Sequence, residues 1–146
     1  MPHMTAPDPH DPSSIARFVD AIGCGVVATV SPDGAPEAAL VGLAALDDGT
    51  LIFNTPDDAR KVANLRADAR AAVVVSAGDV SVQAEGSATI AEDAERERIG
   101  GAYEGRFPGS RAFADGFLVV AVRPDWVRVY DARPRPAVVA EAVWRN

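Results

Sequence analysis

The sequence contains one lysine, Lys61, against thirteen arginines, and that lysine directly follows Arg60. Just upstream stand Thr55, Pro56, Asp57 and Asp58. They read as a helix start, with Thr55 as N-cap, Pro56 at the first helical position and carboxylates in the first turn. Two cations in that first turn oppose the helix macrodipole, at a cost of roughly a few tenths of a kcal/mol or more. Two arrangements offset it. Either Asp57 and Asp58 pair locally with the cations, or Arg60, Lys61, the Thr55 hydroxyl and the free helix N–H groups surround an external phosphate. The placing of the sole lysine here points to the phosphate.

Other chemistry is scarce. Both histidines, His3 and His10, fall in the first ten residues. The folded body therefore lacks a histidine for a Ser-His-Asp triad, a Cys-His pair or a zinc ion. Lone Cys24, in Ile22-Gly-Cys-Gly-Val-Val27, allows no internal disulfide and no cysteine cluster, and it reads as a small core residue. No metal site is expected and the catalytic residues stay unassigned, so any hard chemistry falls to a cofactor.

A chain of 146 residues fits one domain. With 21 acidic against 14 basic side chains and a net charge of -7, its field repels phosphate backbones and anionic lipid, which argues against nucleic-acid and membrane partners. No apolar run approaches the roughly 20 residues of a spanning helix. The polar, proline-rich start is unlike a signal peptide. We expect a disordered tail over residues 1–12, a single domain over 13–146, and a cytoplasmic location.

The elements that must position the cations follow from periodicity. Ile15, Phe18, Val19 and Ile22 fall on one helix face, with Ser13 or Ser14 as cap. The runs Val26 to Val30 and Ala38 to Leu46 flank the turn sequence Ser31-Pro-Asp-Gly-Ala-Pro36, and Asp47-Asp-Gly-Thr50 leads into Leu51-Ile-Phe53. These predict three antiparallel strands. After the Thr55 helix come a strand over Ala71 to Ser76 and another over Val80 to Ile90, with Gly86 as a bulge or close approach. A charged helix from Glu92 to Tyr103, strands over Phe117 to Val122 and Trp126 to Tyr130, and an edge strand or tail from Val138 complete the chain. The pattern predicts a mainly β fold, a six- to seven-stranded antiparallel barrel with two or three peripheral helices.

Ser31-Pro-Asp-Gly34, Asp48-Gly-Thr-Leu-Ile-Phe-Asn-Thr55, Arg60-Lys61, Asn64-Leu-Arg66 and Val82-Gln-Ala-Glu-Gly86 occur in that order. Together they resemble the FMN-binding split-barrel flavoproteins related to pyridoxamine 5'-phosphate oxidase, from Phe18 to about Asp131. The family's motif runs Phe-x-Thr, three residues, then Ser-Arg-Lys. Phe53, Thr55, Arg60 and Lys61 match it, with Ala59 in place of the serine.

The resemblance implies a split β-barrel that binds FMN, with Asn54, Thr55, Arg60 and Lys61 at the cofactor. Ser81 aligns with a family glutamine supplied by a second subunit, and Gln83 shares its strand face. Tyr130 aligns with a family tryptophan near the flavin. Taken by themselves, the residues equally allow a solvent-facing Gln83 and a core or interface Tyr130. A homodimer with the cofactor at the subunit interface is implied as well.

The departures bear on substrate. Ala39 and Ala44 stand where the true oxidases carry an arginine and a lysine. Tyr103, Arg106 and Ser110 only echo the substrate-phosphate set, and Arg106 and Arg111 read as a solvated loop. The expected function is therefore an FMN-binding oxidoreductase acting on an unidentified small molecule, without pyridoxamine phosphate oxidase activity. The alternatives are a deazaflavin-dependent reductase on the same fold, or a flavin- or haem-binding module without turnover.

Overall fold

The structure is a computed structural model, which describes residues 4–144. His3 and the first residues of the expected tail lie outside them. Burial alternates along the strands, as in β-type positions Ala71, Val73 and Val75, which point inward, against Val74, which points outward. This alternation builds one sheet whose inner face carries the core.

The elements are α1 (Pro12–Ile22), β1 (Cys24–Val30), β2 (Pro36–Gly42), β3 (Ala44–Ala45), β4 (Leu51–Pro56), α2 (Arg60–Ala67), β5 (Arg70–Ala77), β6 (Val80–Ile90), α3 (Asp93–Arg106), β7 (Phe117–Asp131) and β8 (Val138–Val143). They form an eight-stranded sheet in the order β2-β1-β5-β6-β7-β4-β3, with β8 pairing β7. All pairings are antiparallel. Leu43, fully buried, is the one residue between β2 and β3, the two ends of that path. The sheet therefore curls back on itself into a split barrel with three helices packed on it. The main core gathers Ile15, Phe18, Leu43, Phe53 and Val120. A second cluster under α3 gathers Ala44, Ile52, Ile99 and Tyr103.

Several local expectations change. Helix α1 is capped by Asp11, whose carboxylate accepts from Ser13 N–H at 3.1 Å, rather than by Ser13 or Ser14. The run Ala38 to Leu46 is broken at Leu43 where the barrel turns. The two expected strands after Phe117 are one. Gly86 faces Pro124 and Glu85 faces Trp126, so Asp125 is the extra residue of a bulge, and this absorbs Pro124 without ending the strand. Gly86 is required there, because a Cβ would collide with the Arg123 carbonyl oxygen. Cys24 is exposed, since it occupies an outward position on β1.

The segment expected to be a disordered tail runs along the body from Met4. Pro7 and Pro9 are buried. Arg133 Nη1 donates to the Met4 carbonyl at 2.7 Å, and Trp144 Nε1 donates to the Pro9 carbonyl at 2.7 Å. No helix is long and apolar enough to cross a membrane.

Candidate functional site

Helix α2 starts later than its sequence signals imply. Thr55 and Pro56 pair with Leu118 and Phe117 of β7, so they end β4 instead of capping a helix. The N-cap is Ala59, which offers no side-chain bond to the first turn. Arg60 and Lys61 become the first two helical residues. Asp57 and Asp58 precede the helix and are exposed.

Both cations line a cavity of about 240 Å³ together with Val27, Thr29, Glu37 and Ala39. The local pairing expected with Asp57 or Asp58 is replaced by a long-range one, because Arg60 forms its ion pair with Glu37 of β2. Glu37 also accepts from Asn64 Nδ2 at 2.8 Å, and the same nitrogen donates to Thr29 Oγ1 at 2.9 Å. Lys61 is half-buried and has no hydrogen bond or ion pair among the described residues. Burial pushes its ammonium pKa down from the ordinary lysine value.

The other expected contacts lie elsewhere. Thr55 is buried, with its hydroxyl turned to the Pro56 carbonyl at 3.3 Å, and neither it nor half-buried Asn54 lines the cavity. Ser81, Gln83 and Tyr130 occupy the outer face of the sheet. Ser81 pairs with Tyr130 across the β6–β7 ladder, and Gln83 lies beside Val74 of β5. None of the three lines the cavity shared by Arg60 and Lys61. Sequence reasoning missed the roles of Glu37 and Asn64. Asn64 stands four residues after Arg60, on the same helix face, which was the available signal.

A second cavity, of about 420 Å³ and mainly apolar, touches Ala28, Ala72, Gly86 and Trp126 and shares Thr29 with the first. Among the described residues there is no cluster of His, Cys, Asp and Glu that could hold a metal.

Residues 12–131 match the family model described as pyridoxamine 5'-phosphate oxidase. The chain belongs to this split-barrel family. Among curated proteins none matches it. Of solved structures, the chain is similar to the conserved hypothetical protein Rv2991 of Mycobacterium tuberculosis, at 28% identity and a TM-score of 0.70, over 82% of this chain and 83% of that one. It is also similar in fold to a haem-binding protein of Mycobacterium smegmatis, at 22% identity and a TM-score of 0.76, over 96% of this chain but only 60% of that one. A pyridoxamine 5'-phosphate oxidase-related, FMN-binding protein of Nostoc punctiforme gives 15% identity and a TM-score of 0.64, over 92% and 94%.

Membership gives the departures a structural meaning. Ala39 lines the cation cavity, so a long basic side chain at that position would enter the same cavity beside Arg60 and Lys61. Ala44 does not. It is buried in the second core cluster beneath α3. Tyr103, Arg106 and Ser110 are all engaged inside the molecule. Tyr103 Oη bonds the Gly42 carbonyl at 3.4 Å, Arg106 bonds the Asp20 carbonyl and pairs with its carboxylate, and Ser110 bonds Glu104. Arg106 is thus tied to α1 rather than solvated, and Arg111 sits over the Phe117 ring at 5.5 Å.

Proposed function

We propose that the protein is an FMN-binding oxidoreductase whose cofactor phosphate is held at the start of α2. The observation that carries this reading is Lys61, a half-buried ammonium with no counter-ion among the described residues, facing a cavity that it shares with Arg60. A desolvated cation without a partner is costly, and an oxyanion supplied from outside relieves that cost. The uncapped N–H groups of α2 add donors of the right sign. Lys61 and Arg60 would hold the phosphate, and the mainly apolar cavity next to Thr29 gives a ring system its surface. When bound, the isoalloxazine supplies the electron transfer. The chain's own residues bind, orient and exclude water, and the substrate is a small molecule. With alanine at 39 and 44, and with Tyr103, Arg106 and Ser110 engaged internally, a second phosphate clamp for pyridoxamine 5'-phosphate is lacking among these residues.

We also propose a homodimer, cytoplasmic in location, with the cofactor between subunits. Leu40, Val26 and Val74 are direct neighbours across β2, β1 and β5, and they are 73%, 40% and 43% exposed. An apolar row continuing to Gln83 favours burial against a second copy. A partner seated there accounts for Ser81, Gln83 and Tyr130 as groups that reach a cofactor held by the other chain.

Mass spectrometry and absorption spectra of whatever co-purifies test the cofactor. FMN supports the reading, while a deazaflavin or haem replaces it with the corresponding alternative. Reduction of the bound flavin by NADH or NADPH, followed by reoxidation, separates an enzyme from a carrier.

A further inference from the structure

The cavity at the start of α2 holds two kinds of polar group with opposite demands. Arg60 and Lys61 donate hydrogen bonds and carry positive charge, whereas Glu37, which projects into the same space from β2, only accepts. The Glu37 side chain is 19% exposed against 82% for Arg60, so the glutamate is the fixed member of their ion pair. Buried Asn64 holds it, its side-chain nitrogen donating to Glu37 Oε1 at 2.8 Å and to Thr29 Oγ1 at 2.9 Å. Arg60 engages Oε2. An ionised carboxylate accepts at about four positions, so each oxygen keeps capacity for a further donor. Because Arg60 offsets the Glu37 charge, Lys61 and the uncapped N–H groups of α2 stay available to a phosphate, a dianionic one included. What Glu37 adds is a fixed acceptor for hydroxyl groups close to that phosphate.

We propose that Glu37 is a specificity-determining residue that reads the polyol beside the phosphate. The cavity selects a phosphate ester of a polyhydroxylated chain, as in the ribityl phosphate of FMN, over a phosphate carried on an apolar chain. Lys61 takes the oxyanion, and Glu37 accepts from hydroxyl groups through charge-assisted bonds, which are stronger than neutral ones. A ligand with carboxylates but no hydroxyls, such as haem, gives Glu37 no donor and brings a like charge next to it. The inference rests on the assignment of the flavin phosphate to this cavity.

The test uses the full chain and three probes: FMN, riboflavin, and a phosphopentyl flavin, in which an unsubstituted pentyl chain replaces the ribityl chain and keeps the terminal phosphate. Affinities are measured by calorimetry for wild type, Glu37→Ala, Glu37→Gln and Lys61→Ala, each checked for an unchanged thermal transition. Wild type should bind FMN about tenfold or more tightly than the phosphopentyl flavin. Glu37→Ala should remove most of that hydroxyl preference while FMN still binds more tightly than riboflavin. Glu37→Gln, which keeps an acceptor for Asn64 without the charge, should give an intermediate ratio, and it carries the test if alanine perturbs folding. Lys61→Ala should act in the opposite sense, lowering the FMN-to-riboflavin ratio and leaving the hydroxyl preference in place. If wild type shows no hydroxyl preference, or the folded Glu37 variants keep it unchanged, while Lys61→Ala still weakens FMN relative to riboflavin, the role of Glu37 alone is overturned. If Lys61→Ala leaves the FMN-to-riboflavin ratio unchanged, or if neither wild type nor any variant binds the probes, the site assignment and the inference fall together.

Discussion

Asn64 of α2 and Thr29 of β1 are joined by a 2.9 Å hydrogen bond between two buried side chains, and this bond sets how the cation-bearing helix sits on the barrel. Asn64→Ala leaves the Thr29 hydroxyl without that donor and frees Glu37. Loss of a buried bond of this kind should lower unfolding stability by about 1 to 3 kcal/mol. Denaturant titration reads it, and a change below about half a kcal/mol would show that the bond does not anchor α2.

Ala59→Ser places a hydroxyl at the N-cap of α2, where the backbone is already extended and no side chain caps the first turn. The ligand-free protein should gain about 1 kcal/mol. FMN affinity should also rise if the hydroxyl reaches the phosphate. The two readouts separate: a gain in apo stability with unchanged affinity assigns position 59 to the helix alone.

Asp131 ends β7 and accepts three hydrogen bonds from Arg133, at 2.8, 2.8 and 3.1 Å. The bond to the Arg133 side chain is the main reason its carboxyl pKa falls from 3.8 to about 2. A depressed carboxyl stabilises the fold above its ordinary pKa, and that contribution disappears as pH falls through the folded value. Asp131→Asn should therefore be less stable than wild type at neutral pH, with the difference shrinking as pH drops from 3.8 toward 2. A difference independent of pH across that window would assign the effect to packing.

Val74→Glu inserts a charge into the row formed with Val26 and Leu40 on the outer face of the sheet. Wild type should scatter light with twice the 15.2 kDa chain mass, and the variant with the mass of one chain. Because ligand binding and association are linked when a site spans two chains, the variant should bind FMN more weakly as well. A wild type that is monomeric with FMN bound would remove the second copy from the site.

These positions also show how far the residues alone could be read. Strand β6 was legible from its two-residue periodicity, because one face is buried and the other is not, whereas β5 reads as a continuous Val-rich run suited to a buried strand and its alternation, with Val74 outward, emerges only in the sheet. Gly86 announced the bulge, whereas the continuity of β7 past Pro124 did not, since the bulge that absorbs the proline depends on pairing with β6. Thr55-Pro56 carries helix-cap chemistry that is equally suited to a strand end, and the ladder to β7 decided between them. The cations were found by type and spacing. Their counter-ion was not, because Glu37 precedes Arg60 by 23 residues and meets it only after the barrel closes.

The latch between Trp144 and Pro9, reinforced from Arg133 to Met4, ties the first described segment of the chain to its last. Where the polypeptide starts is therefore not dictated by the barrel. A short flexible linker joining the ends, with new termini opened in the exposed Ser31–Ala35 turn, would give a circular permutant that keeps every strand pairing. Its new ends would follow β1 and precede β2, leaving the strand that carries Glu37 and lines the cation cavity at the start of the polypeptide.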